Sequence, residues 1–324
     1  MRAPGFWWRR PPSLAARLLK PFGALYGLAA ARRMCAPGAR APVPVVCVGN
    51  PVAGGAGKTP AALALAACLR RAGRNPVFLT RGYGGRLKGP VRVDLDVHTP
   101  GETGDEPRLL AARAPCIVAA DRVAGARLAA DFGDVVVMDD GFQNSSLLKD
   151  VSFLVVDAAD GAGNGYCLPA GPLRAPLAAQ FARAQAMIVV GEGEEGPRLA
   201  SGSGLPVLRA RLVPDGHAAA RLVGRRVLAF AGIGRPRKFA RTLRDLGADV
   251  ARLVEFPDHH VLTEGEADAL LAEARRDGLL LVTTEKDRAR FARTRLGMAA
   301  EVLPVDLVFE DEAALLACLA PVLR

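Results

Sequence analysis

The sequence predicts an α/β protein with a parallel sheet, a second and smaller α/β lobe, and an N-terminal membrane-associating helix. Short apolar runs alternate with Ala- and Leu-rich helical stretches, an order typical of parallel sheets. A glycine-rich loop separates the first apolar run from the first such helix. The alternation stops in a stretch rich in Gly, Glu and Ser and then starts again. We therefore expect an N-terminal segment at 1–40, a core at 41–204 and a second lobe at 205–324.

In the core, Pro60–Arg71 is predicted to be a helix, because Pro favours the first helical turn and Gly73 follows the helix end. Apolar runs of strand length lie on both sides of it. The predicted strands are Val43–Val48, Pro76–Thr80, Ile117–Ala120, Val135–Met138, Phe153–Val156 and Met187–Val190.

The stretch Gly191–Gly204 is predicted to be a loop, after which the alternation of strands and helices resumes. A continuation of the same sheet would give the same pattern, but we favour two lobes with a cleft between them. The elements predicted there are the strands Val227–Phe230, Val250–Val254 and Leu279–Thr283 and the helices Pro236–Leu246, Glu264–Asp277 and Glu310–Leu319.

The net charge of +10 is concentrated at the N-terminus. Residues 1–40 contain eight of the 43 Lys and Arg and none of the 33 Asp and Glu, so the rest of the chain is nearly balanced. A nucleic-acid-binding domain needs a basic face within its folded body. We therefore expect no nucleic-acid partner.

The N-terminal segment also contains many apolar residues, including the pair Trp7 and Trp8. Its longest uncharged run, Pro21–Ala31, is shorter than the roughly 20 residues that a spanning helix needs. We predict an interfacial segment, with the Trp pair at headgroup depth and Arg and Lys facing anionic lipid phosphates. A first helix packed on the domain is the alternative. A secretory signal is disfavoured because no clean small-residue cleavage site follows Ala31.

The six cysteines are scattered and contain no C-x-x-C pair. The sequence therefore predicts neither a zinc site nor a disulfide framework, which fits a reducing compartment. Cys47, Cys68 and Cys116 lie in apolar runs, as small buried hydrophobic residues do.

The strongest chemical signal is the run Val48–Pro60, VGNPVAGGAGKTP, between the first predicted strand and helix. Backbone N–H groups in such a phosphate loop (P-loop) point at phosphate oxygens. Lys58 is expected to reach the β- and γ-phosphates of ATP, and Thr59 to ligate Mg²⁺. The usual G-x-x-x-x-G-K-[ST] pattern has Gly where this chain has Val52. The expected nucleotide-binding residues are Val52, Ala53, Gly54, Gly55, Ala56, Gly57, Lys58 and Thr59.

Acidic residues suited to phosphate chemistry occur in two places. A predicted strand ends at Asp139 and Asp140, which puts both acids at the carboxyl edge of the sheet, where Asp139 is a Mg²⁺ ligand candidate. Asp105 and Glu106 are flanked by Gly and Pro at a predicted helix start. That position suits metal or base chemistry, and equally suits plain helix capping.

Two of the four histidines, His259 and His260, directly follow Asp258 in a predicted loop after a strand. A histidine paired with a carboxylate can act as the base that activates a hydroxyl group. A loop histidine is also often no more than a surface residue, so both interpretations stay open at this point.

These residues resemble one family closely, the tetraacyldisaccharide 4'-kinases of Gram-negative bacteria. The resemblance runs from about residue 43 to 290, and its most specific parts are the variant P-loop and DDGFQ at Asp139–Gln143. The other matching segments are Arg81–Gly84, Gly104–Pro107, Leu168–Arg174, Phe230–Phe239, Phe256–His260 and Thr284–Asp287.

The resemblance implies a two-lobed enzyme with a P-loop NTPase-like sheet. It would transfer the γ-phosphate of ATP, with Mg²⁺, to the 4'-hydroxyl of a tetraacylated glucosamine disaccharide 1-phosphate, a lipid A precursor. It also implies peripheral attachment to the cytoplasmic face of the inner membrane, and we expect a monomer.

The resemblance also implies residue roles. The catalytic residues would be Lys58, Asp105 as the base, and His259 as its support, with His260 as the alternative to His259. The metal ligands would be Thr59, Glu106 and Asp139. The same site would contain Asp140, Gln143 and His260.

Three positions depart from the family pattern. Asn144 stands where the family usually has His, Ala175 where it has an acid, and Gln185 where Asp is frequent. The P-loop, the acid pair and the His pair are all present, so we expect activity. The loop around Ala175, however, lacks its acid for metal or substrate binding.

Two other classes of protein have related features. Nucleotide-switched ATPases or GTPases of the partition and targeting class use similar loops, often with Lys where this chain has Ala53, and the sequence has no N-K-x-D guanine motif. A regulator that binds nucleotide without catalysis would account for Asn144 and Ala175. Phosphate transfer that depends on an acceptor separates a kinase from both.

Overall fold

The computed structural model of the chain describes residues 3–258, 260–291 and 294–323. Within these residues the strands form a sheet of nine and a sheet of four. The large sheet has the order β13-β8-β7-β6-β1-β5-β2-β4-β3. Its strands are β1 (Val45–Gly49), β2 (Pro76–Thr80), β3 (Val91–Arg92), β4 (Cys116–Val118), β5 (Val135–Asp139), β6 (Val151–Asp157), β7 (Ala186–Val190), β8 (Val207–Pro214) and β13 (Val305–Phe309).

The small sheet has the order β10-β9-β11-β12, and all its described pairings are parallel. Its strands are β9 (Arg226–Ala231), β10 (Asp249–Glu255), β11 (Leu280–Thr284) and β12 (Glu301–Leu303). The helices of both lobes are α1 (Leu14–Met34), α2 (Lys58–Arg71), α3 (Pro100–Thr103), α4 (Asp105–Ala111), α5 (Arg122–Ala129), α6 (Leu177–Phe181), α7 (Glu195–Ser201), α8 (Gly216–Leu222), α9 (Pro236–Asp245), α10 (Glu264–Asp277), α11 (Glu285–Phe291), α12 (Arg295–Ala299) and α13 (Glu312–Leu323).

The large sheet is parallel except at its two edges, where β3 and β13 pair antiparallel with their neighbours. Successive side chains of a strand point to opposite faces. On β1, Val46 and Val48 therefore pack with α2 and α13, whereas Val45 and Cys47 pack with α1 and α5. Burial on both faces explains why the central strands read as continuous apolar runs.

The boundary of the second lobe differs from the expected residue 204. Strand β8 pairs in parallel with β7 and antiparallel with β13, so both β8 and β13 extend the large sheet. This pairing joins Ala210 to Phe309, a separation that local sequence patterns do not report. The small lobe is therefore inserted between β8 and β13. Where its two connections meet, the backbone N–H of Asp215 donates a hydrogen bond of 2.9 Å to the carbonyl of Pro304.

Individual elements mostly lie where the sequence predicted them, and β2 and α10 have the predicted bounds. Two predictions were wrong. The stretch 191–204, predicted to be a loop, contains α7, because Ala200 packs against Met187 and Val189 of β7 and stabilises a helix of poor composition. Helix α2 begins at Lys58 rather than Pro60, so Lys58 and Thr59 form its first turn.

The N-terminal segment forms a short 3-10 helix, Gly5–Trp8, and then α1. Small residues of α1, including Gly23 and Gly27, are buried against the large lobe. Its opposite face exposes five large apolar side chains: Leu14, Leu18, Phe22, Leu25 and Leu28. Within the described residues, we find no helix with the length and hydrophobicity required to cross a bilayer.

The Trp pair, whose position at headgroup depth stays a prediction, contacts the large lobe. Trp7 donates an indole hydrogen bond of 3.0 Å to the carbonyl of Pro169. Trp8 packs against an apolar cluster of the large lobe. The pair is only partly exposed, because both side chains bind the protein itself.

Candidate active site

The P-loop connects the carboxyl end of β1 to the amino end of α2. Two of its glycines are required by geometry. A β-carbon at Gly49 would lie 2.3 Å from Cβ of Phe142, and Gly57, the N-cap of α2, has φ +87°. The free backbone N–H groups of the first turn of α2 therefore face the loop, which is the arrangement that binds phosphate.

Lys58 is held inside this loop by two oxygen atoms. Its Nζ donates a hydrogen bond of 3.1 Å to Oδ1 of Asn50 and lies 3.6 Å from Oδ1 of Asp140. Asn50 also donates from Nδ2 to the carbonyl of Gly54 at 2.9 Å, so it fixes both the lysine and the loop backbone. Asn50 lies within the P-loop run but was not among the residues predicted for the site.

Asp139 ends β5 and is buried beside Thr59, whose hydroxyl donates to its Oδ2 at 3.2 Å. Its other oxygen, Oδ1, is buried and has no hydrogen-bond partner among the described residues. Burial, followed by the charges of Glu106 and Asp140, raises the pKa of Asp139 to about 7, against the opposing effects of Lys58 and Thr59. A buried carboxylate oxygen without a partner is suited to a cation.

Asp140 follows in the left-handed region, with φ +52°. Its carboxylate accepts hydrogen bonds of 3.0 and 3.4 Å from the guanidinium of Arg174. Burial opposes ionisation of Asp140, but the charges of Lys58 and Arg174 outweigh it and lower the pKa of this carboxyl. Two neighbouring acids therefore differ in character: Asp140 is ionised and paired with cations, and Asp139 is desolvated.

Asp105 and Glu106 begin α4, as the sequence predicted, and both contact cations of the small lobe. Asp105 is buried, and its Oδ2 lies 2.8 Å from Nε and 2.6 Å from Nη2 of Arg290 on α11. Glu106 lies 3.2 Å from Nζ of Lys286, which in turn lies 3.5 Å from Asp258. The predicted base is therefore held across the cleft between the lobes.

The two histidines and Gln143 have different outcomes. His259 lies outside the described residues. His260 is next to it, and its Nε2 contacts the carboxylate of Glu266 at 2.9 and 3.0 Å, while its ring stacks on Phe256. Gln143 donates to the carbonyl of Asn50 at 2.9 Å, which places it beside the P-loop.

The three departures from the family pattern have local structural roles. Asn144 accepts hydrogen bonds from the backbone and hydroxyl of Ser146, and Gln185 accepts one of 2.6 Å from the backbone of Ser152. Ala175 is fully buried in the core. Position 175 therefore supplies no acid to the site. All three residues nevertheless take part in the hydrogen bonding or packing of the fold.

Besides Asn50, three cations of the site were not predicted from the sequence. Arg174 belongs to the segment Leu168–Arg174, which matches the family, so a signal for it was present. Arg122 is buried near the charges of Asp139 and Asp140, and in the part of the chain that the structure describes its Nε has no hydrogen-bond partner. Arg290 had no local signal, because its contacts with Asp105 join residues far apart in the chain.

The site lies at the carboxyl edge of the large sheet, where β1 and β5 end, and it faces the small lobe. The amino end of α2 and Lys58 can bind the phosphates of a nucleotide. Asp139 and Thr59 offer oxygen ligands to a cation of the magnesium class, and Asp105 is a carboxylate positioned for proton transfer. Together these groups supply what phosphoryl transfer to a hydroxyl requires.

Comparisons with known proteins agree with this chemistry. The sequence profile of the family described as Tetraacyldisaccharide-1-P 4'-kinase matches residues 15–324. Two relatives named tetraacyldisaccharide 4'-kinase are 61% identical, from Methylobacterium sp. (strain 4-46), and 57% identical, from Methylobacterium nodulans. These alignments cover 100% and 98% of this chain and 98% and 94% of the relatives.

Among solved structures, the crystal structure of LpxK from Aquifex aeolicus in complex with ATP is similar to this one. The two chains superpose with a TM-score of 0.73 at 25% sequence identity. The match covers 96% of this chain and 100% of the other. By sequence and by fold, the chain belongs to the tetraacyldisaccharide-1-P 4'-kinase family.

Proposed function

We propose that this protein transfers the γ-phosphate of ATP to the 4'-hydroxyl of a tetraacylated glucosamine disaccharide 1-phosphate in lipid A biosynthesis. The names of the family and of its relatives supply the acceptor. The observation that carries the proposal is the position of Lys58 and Thr59, at the amino end of α2 and beside Asp139 and Asp140. A bound ATP would have its γ-phosphate at this carboxylate edge.

In the proposed step, the 4'-oxygen of the sugar forms a bond to the γ-phosphorus while the bond from that phosphorus to the bridging oxygen of ADP breaks. The hydroxyl proton passes to the carboxylate of Asp105. Lys58 and the amino end of α2 neutralise the charge that develops on the phosphate oxygens. Arg290 holds Asp105 in place, and we assign the supporting histidine to His259, with His260 as the alternative.

We assign Mg²⁺ to Thr59, Glu106 and Asp139. The assignment is supported by Oδ1 of Asp139, which no other described residue hydrogen-bonds, by the Thr59 contact and by the charge of Glu106 acting on Asp139. Among the described residues, no three His, Cys, Asp or Glu side chains form a metal cage. Mg²⁺ is commonly bound by one or two carboxylates together with substrate phosphates, and the ion would supply charge neutralisation there.

We further propose that the protein works as a monomer on the cytoplasmic face of the inner membrane. The five exposed apolar residues of α1 would enter the interface between headgroups and acyl chains. Basic residues of the same helix, among them Arg17 and Lys20, would face anionic lipid phosphates. An acceptor with four acyl chains is itself anchored in the membrane, so attachment brings enzyme and substrate together.

The activity is tested by label transfer from γ-labelled ATP to a lipid A disaccharide 1-phosphate in detergent micelles. We expect labelled lipid with the wild type and none with Lys58→Ala. Asp105→Ala is expected to lower kcat by about 10²- to 10⁴-fold while ATP still binds, since a general base contributes that much. ATP binding without labelled lipid would instead favour a nucleotide switch or a non-catalytic regulator.

A further inference from the structure

The first half of the P-loop is attached to a neighbouring loop. We define the support loop as residues 161–176. This loop lies between β6 and α6 in the chain and packs against α1. Ala53 donates a backbone hydrogen bond of 2.7 Å to Pro172, and Arg174 donates one of 2.9 Å to Pro51. Arg174 also donates from Nε to the carbonyl of Val52 at 3.2 Å. The support loop therefore fixes the backbone of the P-loop.

Val52, the residue that replaces the usual glycine, strengthens this attachment. Its side chain is 4% exposed, and its backbone forms a bridge with Leu173. Val52, Ala162 and Leu173 form one apolar cluster, and Trp8 packs against it. Val52 is therefore the P-loop residue that packs in the same apolar cluster as Trp8 of the N-terminal segment.

The 3-10 helix is joined to the support loop by further contacts. The backbone N–H of Asn164 donates 2.7 Å to the carbonyl of Trp7, and the Trp7 indole donates to Pro169. Arg10 donates from Nε to the carbonyl of Gly163 at 2.5 Å and forms an ion pair with Glu195.

Helix α1 packs closely on the support loop at two glycines. A β-carbon at Gly23 would lie 2.7 Å from the carbonyl oxygen of Cys167, and one at Gly27 would lie 3.0 Å from Sγ of Cys167. The contacts therefore run without a break from α1 and the 3-10 helix, through the support loop, to Pro51, Val52 and Ala53.

We propose that the N-terminal segment positions the P-loop for ATP, with Trp8 as the positioning residue that acts through the support loop. A P-loop binds phosphate with backbone N–H groups, so its affinity depends on the loop conformation being fixed before ATP arrives. The segment thereby supports the nucleotide site in addition to its proposed membrane role. The inference depends only on ATP binding at the P-loop, and it holds for any phosphate acceptor.

The test measures the affinity of the full-length protein for a fluorescent ATP analogue without any lipid acceptor. Trp8→Ala is expected to weaken binding about tenfold, because a loop displaced by a fraction of an ångström loses several phosphate contacts together. Trp8→Phe should restore most of the affinity. In the kinase assay, Trp8→Ala should raise the KM for ATP about tenfold and change kcat at saturating ATP less than about twofold.

The matched control is Phe132→Ala. Phe132 is also a partly buried aromatic residue on the large lobe. It precedes β5 and so lies at the amino ends of the parallel strands, opposite the P-loop. The Phe132→Ala variant should have a lower melting temperature than the wild type and the same ATP affinity. Arg10→Ala provides a second, milder variant that should weaken ATP binding in the same direction. Unchanged ATP affinity in Trp8→Ala and Arg10→Ala, or in Arg10→Ala alone if Trp8→Ala does not fold, would overturn the proposal.

Discussion

At the scale of single residues, the site keeps a buried carboxylate at a cost to stability. The charged form of Asp139 is disfavoured in the folded protein, mainly by burial, which raises its pKa to about 7 from a usual value of 3.8. In the unfolded chain the same group ionises at its usual pKa. The penalty therefore appears as the pH rises above about 4 and is complete above about pH 7. Such a residue destabilises the free enzyme, which agrees with the proposed role of Asp139 as a metal ligand.

Asp139→Asn should therefore stabilise the nucleotide-free protein while removing activity. We expect the free energy of unfolding to rise by about 1–3 kcal/mol at pH 8, which is less than the full pKa shift corresponds to, because the new amide also lacks a partner. The gain should shrink as the pH falls towards 4. Label transfer should drop by at least about 10²-fold. Urea unfolding of both proteins between pH 4 and 8 measures the effect, and a variant less stable than wild type at pH 8 would contradict it.

Some residues of the candidate site could be predicted from the sequence, and others could not. Lys58, Thr59 and Asp139 belong to local patterns in which residue type and spacing report the chemistry directly. The cations that hold the acids are different, because Arg174 reaches Asp140 and Arg290 reaches Asp105 through the fold. Such tertiary pairs leave no periodicity and no spacing in the sequence.

At the scale of elements, α1 has two apolar faces of different kinds. The face with Gly23 and Gly27 is narrow and packs closely on the support loop. The other face exposes larger side chains, such as Leu18 at 68% and Phe22 at 62%. A soluble protein rarely leaves such a row of apolar side chains in water, so the exposed face indicates a binding surface.

The double variant Leu18→Glu/Phe22→Glu should therefore weaken binding to vesicles that contain anionic lipid by at least about tenfold. The change removes apolar burial worth about 1.5–3 kcal/mol per side chain and adds charge that anionic lipids repel. Leu148→Glu is the matched control, since Leu148 is an exposed leucine elsewhere on the large lobe. Co-sedimentation with vesicles measures the difference. Equal loss in both proteins, or no loss in either, would remove α1 from the membrane role.

Elements were predictable where their own residues set their ends. Helix α10 has a capping box formed by Thr263 and Glu266 and ends at Gly278 in the left-handed conformation, so its bounds were found in full. Helix α7 has no such signals and forms because β7 packs beside it. Strand β8 exposes alternate residues and depends on β13 for its outer edge, a partner that the sequence does not indicate.

At the scale of the whole molecule, the two lobes meet through opposite charges on both sides of the cleft. Asp105 and Glu106 of the large lobe pair with Arg290 and Lys286 of the small lobe, and Asp157 accepts a hydrogen bond of 2.7 Å from Arg235. The covalent connections between the lobes, in contrast, are only two adjacent segments of the chain, one after β8 and one before β13. The relative position of the lobes therefore depends on ion pairs that include the proposed base.

The buried pair between Asp105 and Arg290 should couple the two lobes energetically. Arg290→Met leaves a buried carboxylate without its cation, and we expect the free energy of unfolding to fall by about 3–5 kcal/mol. Adding Asp105→Asn should recover about 1–3 kcal/mol, because the unpaired charge is then removed as well. The recovery stays partial, since Arg290 also contacts Asp287 at 2.7 Å.

Chemical denaturation of the wild type, both single variants and the double variant measures this coupling. Arg237→Met is the control, because the side chain of Arg237 is 88% exposed and its pair with Glu255 lies within the small lobe. It should change stability by less than about 0.5 kcal/mol. Strictly additive costs at Asp105 and Arg290 would mean that the two residues do not meet in solution. The proposed base would then be positioned by the large lobe alone, and the cleft would be open in the free enzyme.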